Sequence, residues 1–345
     1  MPEIKLAAVG DILMIGPILS LAKLPGRDKY DFAPIFENVS PYLRQADFVI
    51  GNLETPLAGR ESRYTKKNVR TGFSMFNCPD ELAAALKNSG FHFLTTANNH
   101  CLDRGEEGLK RTLSVLDSHG LEHTGTFAVN PGVNNHFIKD INGIRLGIVS
   151  YTKTTNGIPL PVNKPWMVNL VNTGDPANLL EHVRRLKREV DLVVVCIHFG
   201  TECRLSSNPS QRRLAKSLLH SGAHIVLGCH PHVIQPMYTS NGKFVIYSLG
   251  NFVSTRLYHN PNTNCGLILQ LTINTGPNNQ IKISEAGFVP TWSTRLKTLR
   301  GIQYKILPIH KAIREPETRQ SGQDRELMRK IWKATSSRLR ASGRA

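Results

Sequence analysis

Residues 223–235 read AHIVLGCHPHVIQ, in which an aliphatic run leads directly into two histidines separated by one proline. The aliphatic run predicts a buried β-strand. If the chain stays extended beyond it, His230 and His232 point to the same side, because side chains two residues apart on a strand share a face. Cys229 then points to the opposite side. The segment therefore predicts a pair of metal ligands, His230 and His232.

Similar aliphatic runs recur on both sides of this segment and alternate with helical patterns. Apolar residues fall at helical intervals in residues 79–90, 106–120, 178–190 and 210–222. Three of these segments end in a Ser-Gly or His-Gly pair that suits a helix C-cap. Strands that alternate with helices are typical of an α/β fold. Residues 266–289 instead predict an antiparallel hairpin around a Gly-Pro-Asn-Asn turn, so the sheets are expected to be mixed.

The length of 345 residues and the 40% hydrophobic content predict one large domain with a substantial core. We place this domain at residues 1–312 and a polar tail with a short helix, Asp324–Leu339, at residues 313–345. The stretch from Asn156 to Asn178 is rich in Pro, Gly and Asn, and it is predicted to be a long loop of the kind that often forms a lid.

The formal net charge of +17 indicates attraction to polyanions. Acidic polymer, nucleic acid and anionic lipid all remain open as partners. The basic run at residues 184–188 is interpreted as the solvated face of a helix. The six cysteines form no CxxC pair, so we expect reduced, mostly buried thiols. Because the first residues lack a basic n-region and a long apolar run, we expect no signal peptide or membrane anchor and a cytoplasmic location.

Five predicted strands deliver polar side chains at their carboxyl ends, where α/β sheets bind ligands. These side chains are Asp11, Asn52, Glu54, Asn99, His100, His198, His230 and His232. Taken alone, Asp11 fits a turn, Glu54 an exposed acid, and His198 a buried histidine bonded to a backbone carbonyl. Five coincident strand ends favour one convergent site.

The mixture of carboxylate, amide and imidazole suits divalent Mn, Fe or Zn and indicates a catalytic rather than a structural site. Two such metals that share a bridging carboxylate can clamp a phosphoryl group.

Six motifs occur in order and together resemble those of the CapA family of poly-gamma-glutamate capsule biosynthesis proteins. They are Gly10-Asp11, GNLETPL at 51–57, ANNHCLDRGEEGL at 97–109, HFGTE at 198–202, GCHPHVIQ at 228–235 and YSLGNFV at 247–253. That family looks like a branch of the calcineurin-like metallophosphoesterases. The resemblance implies a four-layer α/β/β/α sandwich with mixed sheets and a site for two divalent metals.

Carried over residue by residue, the resemblance implies a role for each matching position. One metal would be held by Asp11 and His232, and Glu54 would bridge to the other. The second metal would be held by Asn99, His198 and His230. His100 would stabilise charge or protonate the leaving group, and Asp103 would orient it. The remaining motif residues would line the site: Asn52, Glu202, Ser248 and Asn251.

Two positions depart from the wider superfamily. Leu13 stands where the superfamily has a histidine ligand, so the first metal loses one ligand. Glu54 replaces an Asp and lengthens the bridging side chain. Many family members also carry an N-terminal membrane helix, which has no counterpart in these residues.

The leading hypothesis is a metal-dependent hydrolase of phosphoester or acyl-phosphate bonds that acts on an acidic polymer or a phosphorylated small molecule in capsule-type biosynthesis. The first alternative is a non-catalytic accessory protein that binds a polyanion or a synthase partner. The second is a nucleic-acid phosphodiesterase, which the positive charge favours.

Overall fold

Two mixed β-sheets pack face to face, and helices cover the outer surface of each. The structure is a computed structural model that describes residues 2–276, 280–299, 301–315 and 321–342. The strands of the first sheet are β1 Glu3–Ile12, β2 Phe48–Leu53, β5 Phe93–Thr95, β6 Glu122–Thr124, β13 Asn251–Val253, β14 Cys265–Thr275, β15 Ile281–Thr298 and β16 Gly301–Pro308. Those of the second are β7 Phe137–Ile141, β8 Ile144–Thr152, β9 Leu192–His198, β10 Ile225–Cys229, β11 Met237–Ser240 and β12 Lys243–Ile246. A small hairpin pairs β3 Thr65–Lys67 with β4 Ser74–Phe76.

Both sheets combine a parallel centre with antiparallel edges. The first has the order β6-β5-β2-β1-β14-β15-β16, with β13 also paired to β1. The second has the order β11-β12-β10-β9-β8-β7. The helices are α1 Gly16–Ala22, α2 Ala33–Phe36, α3 Ser40–Leu43, α4 Glu81–Ser89, α5 Gly105–Ser118, α6 Ala177–Lys187, α7 Pro209–His220, α8 Ile309–Arg314 and α9 Gly322–Ser342. The four helices predicted from periodicity correspond to α4, α5, α6 and α7.

Strand β9 shows how the sequence produces four layers. Its side chains alternate, so that Leu192 and Val194 join the core between the two sheets while Val193 and Val195 pack under α6 and α7. A strand that is buried on both faces needs a continuous apolar run, which is what residues 192–197 supply. The predicted α/β/β/α sandwich with mixed sheets is confirmed.

The C-terminal third contains more structure than the sequence predicted. The hairpin of β14 and β15 is present, with residues 277–279 of its turn outside the described residues. Strand β15 runs on to Thr298, and β16 pairs with it. Helix α9 is longer than the predicted Asp324–Leu339, and it buries Met328 and Leu339 against the core between the sheets. The division at residue 312 stays a prediction.

The six cysteines are free thiols, as expected. Across the described ranges, no helix combines the length and the apolar character needed to cross a membrane. The predicted cytoplasmic location stays a prediction.

Candidate metal centre

The predicted site residues meet where the carboxyl ends of strands from both sheets come together. Strands β1, β2 and β5 reach this seam from the first sheet, and β9 and β10 reach it from the second. The sequence located the ends correctly, although Asp11 and Asn52 lie inside β1 and β2 rather than after them. The site is therefore built between two sheets, not along the edge of one.

Gly10 allows the close approach that positions Asp11. A Cβ atom at this position would lie 1.8 Å from the carbonyl oxygen of Gly250, which no side chain tolerates. The neighbouring backbone N–H of Asp11 donates to that same oxygen at 3.0 Å. Because β1 and β13 pair so closely here, Asp11 lies beside Asn251 at the seam.

The first group of candidate metal ligands is Asp11, Glu54 and His232, all buried, whose ligand atoms lie within 4.8 Å of one another. His232 Nδ1 is 3.1 Å from Asp11 Oδ2 and 3.8 Å from Glu54 Oε2. It also lies 3.0 Å from Asn251 Oδ1. The group offers two carboxylates and one imidazole to a cation.

The second group is Glu54, His198 and His230, again with ligand atoms within 4.8 Å of one another. His198 Nε2 lies 3.3 Å from Glu54 Oε1 and 3.2 Å from His230 Nδ1. The side-chain oxygen of Asn99 is 2.8 Å from the same His198 nitrogen. Carboxylate, amide oxygen and two imidazoles thus converge on one side of Glu54.

Glu54 belongs to both groups, and its environment suits a bound cation. The side chain is fully buried, yet neither carboxylate oxygen accepts a hydrogen bond from the described residues. A buried carboxylate without donors is costly unless a positive charge compensates it. The donor set around it is also the one that divalent transition metals prefer. The residues present therefore fit a metal, and Glu54 lies where one carboxylate can contact two metal ions.

Electrostatics differ between the two groups. Burial lowers the pKa of His198 and of His230 to about 3, so both rings are neutral and available as ligands near pH 7. Burial also opposes protonation of His232, but the carboxylates of Glu54 and Asp11 outweigh it and raise the pKa of His232 to about 10. Burial, reinforced by the charge of Asp11, raises the pKa of Glu54 well above its usual range. Without a metal, the Asp11 group holds a proton that a metal would displace.

The backbone of the His-Pro-His segment is not extended, so the premise for placing its two histidines on one face was wrong. Strand β10 ends at Cys229, and the φ angles of His230 and His232 are +98° and +59°, in the left-handed region. The bend sends His230 toward His198 and His232 toward Asp11, and the two ring centroids are 6.1 Å apart. Cys229 is buried in the core between the sheets, and its thiol lies within hydrogen-bonding reach of the Asp11 carboxylate. Tertiary contacts explain the bend, since Pro231 accepts a backbone hydrogen bond from Cys203.

His100 and Asp103 form a buried pair beside these groups. His100 Nδ1 lies 2.7 Å from Asp103 Oδ2, which also accepts the backbone N–H of Phe76 at 2.6 Å. The Phe76 ring contacts the imidazole with centroids 4.6 Å apart. Burial alone would lower the pKa of His100, but its bond to Asp103 outweighs burial and raises the pKa. The pair provides an oriented imidazole that can carry a proton.

The four residues expected to line the site have different surroundings. Asn52 Nδ2 donates to Asp11 Oδ1 at 2.7 Å and lies 3.3 Å from His198 Nδ1, so it braces both groups. Asn251 contacts His232. Ser248 is buried and accepts the backbone N–H of Gly250, which places it behind the site rather than on its surface.

Glu202 lies at the rim of the site and accepts the Tyr258 hydroxyl at 2.7 Å. Burial favours its neutral form, but the Tyr258 hydrogen bond and the nearby histidines outweigh burial and lower the pKa of Glu202.

Three further residues contact the site and were not predicted. Asn98 donates to the Leu53 carbonyl at 2.8 Å and accepts the backbone N–H of His100 at 3.1 Å, which fixes the loop that carries Asn99 and His100. Asn156 accepts from Asn99 Nδ2 at 3.2 Å. Tyr258 binds Glu202. The Asn-Asn-His sequence signalled Asn98, whereas no pattern singled out Asn156 or Tyr258.

The α/β/β/α sandwich, with two candidate metal-ligand groups that share one buried carboxylate, gives this chain a metallophosphoesterase-like fold. The family model described as "Bacterial capsule synthesis protein PGA_cap" matches residues 5–256. The chain belongs to this family of capsule synthesis proteins, which confirms the resemblance found in the sequence.

Two relatives carry related names. The capsule biosynthesis protein CapA of Bacillus anthracis is 31% identical over 73% of this chain and 60% of its own length. The PGA biosynthesis protein CapA of Bacillus subtilis (strain 168) is 30% identical over 71% of this chain and 62% of its own length. The matched part of this chain thus spans less than two thirds of either relative.

A solved structure supports the fold. It is described as "Putative 5'-Nucleotidase from Staphylococcus aureus in complex with alpha-ketoglutarate", and it aligns with 96% of this chain and 58% of its own chain. The TM-score is 0.52 at 16% identity. Identity this low establishes similarity of fold alone.

Proposed function

We propose that this chain is a metal-dependent hydrolase of phosphoester or acyl-phosphate bonds that takes part in the synthesis of a capsule-type polymer such as poly-gamma-glutamate. The observation that carries the proposal is Glu54, a buried carboxylate between two sets of nitrogen and oxygen ligands, whose oxygens accept no hydrogen bond from the described residues. Membership of the capsule synthesis family supports a role in the synthesis of such a polymer.

The proposed centre binds two divalent ions of Mn, Fe or Zn. Asp11 and His232 would hold one ion, Asn99, His198 and His230 the other, and Glu54 would contact both. When bound, such ions supply Lewis acidity toward a phosphoryl oxygen and toward water.

The chain's own residues would orient the substrate and move the proton. His100 Nδ1 is bonded to Asp103, which leaves Nε2 as the nitrogen that can donate to the departing oxygen. The Asp103 carboxylate stabilises the protonated ring and so raises the pKa of His100, which favours this residue as the proton donor. Asn52 holds Asp11 and His198 in position through its side-chain amide.

The first test is metal content and turnover of the purified protein. We expect transition metal after reconstitution, and hydrolysis of at least one member of a panel of phosphomonoesters, phosphodiesters and glutamyl phosphates. His100→Ala should lower kcat by about 10²–10⁴-fold, the usual contribution of a general acid. His220→Ala, a change at an exposed histidine of α7, is the matched control. Absence of metal binding, or turnover that His100→Ala leaves unchanged, contradicts the proposal.

A second candidate is a non-catalytic accessory protein that holds a polyanion or a synthase partner. Leu13 favours it, because this buried side chain faces the cavity beside His232 and offers no ligand atom. Retention of metal and of polymer binding, without turnover of any substrate in the panel, would support this candidate over the hydrolase.

A nucleic-acid phosphodiesterase is the third candidate, and the net charge of +17 favours it. Such an activity would cleave DNA or RNA in a salt-sensitive manner, because phosphate contacts release counterions. Intact DNA and RNA after incubation at low salt would exclude it.

A further inference from the structure

A cavity of about 480 Å³ opens directly beside the candidate metal centre. Asn99, His100 and His232 form its floor on the side of the centre. Much of the remaining wall is apolar and consists of Leu13, Ile15, Pro17, Phe73, Phe76 and Leu257. A cavity of this size accommodates the body of a small molecule attached to a phosphoryl group.

The charge of this cavity contrasts with that of the whole chain. The chain carries a formal charge of +17, yet no Lys or Arg is among the described residues that line the cavity. Apart from the histidines, Glu202 is the one charged side chain among the described residues that line the cavity. A substrate whose body carries carboxylates would meet no counter-charge here, and it would be repelled by Glu202.

Glu202 is held in a defined orientation. Tyr258 donates its hydroxyl to Oε2 at 2.7 Å, whereas Oε1 accepts no hydrogen bond from the described residues. Tyr258 adopts φ +48°, and His259 after it adopts φ +55°. Two consecutive residues other than glycine in the left-handed region are strained, and such strain often marks a functional position. The bond joins the loop after β9 to the loop after β13 across the mouth of the site.

We propose that Glu202 and Tyr258 form a subsite for an ammonium group on the substrate, with the phosphoryl group at the candidate metal centre. Oε1 of Glu202 accepts from the ammonium group, and the apolar wall contacts the intervening carbon chain. This inference rests on the proposed function and specifies its substrate class, a phosphorylated amine. Tyr258 is a positioning residue that acts through Glu202.

Non-hydrolysable phosphonates test the subsite by affinity, without dependence on turnover. Protein reconstituted with Mn²⁺ is titrated calorimetrically with amino-, unsubstituted and carboxy-terminated alkylphosphonates, each with ethyl and propyl chains. We expect the amine of the better-fitting chain length to bind at least about tenfold more tightly than the carboxylate, since a charge-assisted hydrogen bond replaces a repulsion. Glu202→Gln should reduce that ratio to within about threefold of unity, and Tyr258→Phe should reduce it partly.

Glu285→Gln is the matched control, because Glu285 is an exposed carboxylate that also accepts a hydroxyl, that of Thr272 at 3.3 Å. Its amine-to-carboxylate ratio should equal that of the unmodified protein. Equal affinities, a preference for the carboxylate, absence of binding by all six compounds, or an unchanged ratio in Glu202→Gln would each overturn the subsite. Amine preference together with no hydrolysis of any compound in the panel of phosphomonoesters, phosphodiesters and glutamyl phosphates would instead retain the subsite and reject the hydrolase.

Discussion

Two clusters of histidines lie at opposite faces of the second sheet, and they differ in how their polar atoms are partnered. At the seam, His198, His230 and His232 surround the Glu54 carboxylate, whose oxygens accept no hydrogen bond within the described part of the chain. On the outer face, His182 of α6 lies between His136 and Tyr151, with distances of 3.0 Å and 2.9 Å to the two partners.

The polar side chains of the outer cluster bond to one another. Both ring nitrogens of His182 have partners, and Asn135 donates to the Tyr151 hydroxyl at 3.4 Å. In the described parts of the chain, no carboxylate hydrogen-bonds to His136 or His182. Burial, and then the neighbouring His136, lower the pKa of His182 to about 3, so the ring stays neutral. Buried histidines alone therefore do not identify a metal site, and the carboxylate without donors is the distinguishing feature.

The largest expected effect follows from Glu54→Gln. A neutral amide cannot compensate two cations, so we expect metal content to fall from about two ions per chain to a small fraction of one. Elemental analysis after reconstitution and gel filtration measures it. Two ions retained by the variant would show that Glu54 does not hold the metals. Glu285→Gln serves again as the exposed control.

The next prediction compares the metal affinities of His198→Ala and His182→Ala, one variant from each cluster. Loss of His198 should lower the affinity for one metal ion by more than about 10–100-fold, which is the cost of losing a residue that only hydrogen-bonds to a ligand. Loss of His182 should leave both metal affinities unchanged, because its bonds go to His136 and Tyr151. Competition with a chromophoric chelator measures both. Similar affinities in the two variants would remove the distinction between the clusters.

Leu13→His should raise a metal affinity rather than lower it. An imidazole at this buried position beside His232 would add a ligand to the Asp11 group, and we expect about tenfold tighter binding of that metal. Leu13→Met has a similar volume and no nitrogen, so it is the control for packing. Identical metal affinities for the two variants would mean that position 13 does not face the metal.

The last expected effect concerns acid stability and belongs to the outer cluster. His182 in the unfolded chain binds a proton below about pH 6.5, but in the folded chain only below about pH 3, so stability falls as pH drops through this window. Between pH 7 and pH 5, His182 alone should contribute about 2 kcal/mol to this loss, and His198 and His230 contribute separately. His182→Gln should remove most of the His182 contribution in urea titrations with chelator present. An unchanged pH dependence of the free energy of unfolding in this variant would contradict the lowered pKa of His182.

The sequence predicted which polar residues would converge because most of them follow an aliphatic run, and a continuous run such as that of β9 indicated a strand buried on both faces. It could not predict the bend at His230 and His232, because contacts from Cys203 and Asp11, distant in the chain, impose those φ angles. It also missed Tyr258, since this loop residue has no periodic pattern and reaches Glu202 across 56 positions.

The location of the centre at the seam has a consequence for the molecule as a whole. Asp11 and Glu54 lie at strand ends of one sheet, whereas His198 and His230 lie at strand ends of the other, so a bound ion would connect the two halves of the sandwich. By mass action, an ion at 100 times its Kd would add about 2.7 kcal/mol to the free energy of unfolding. The melting temperature of this protein would then report how much metal its surroundings supply.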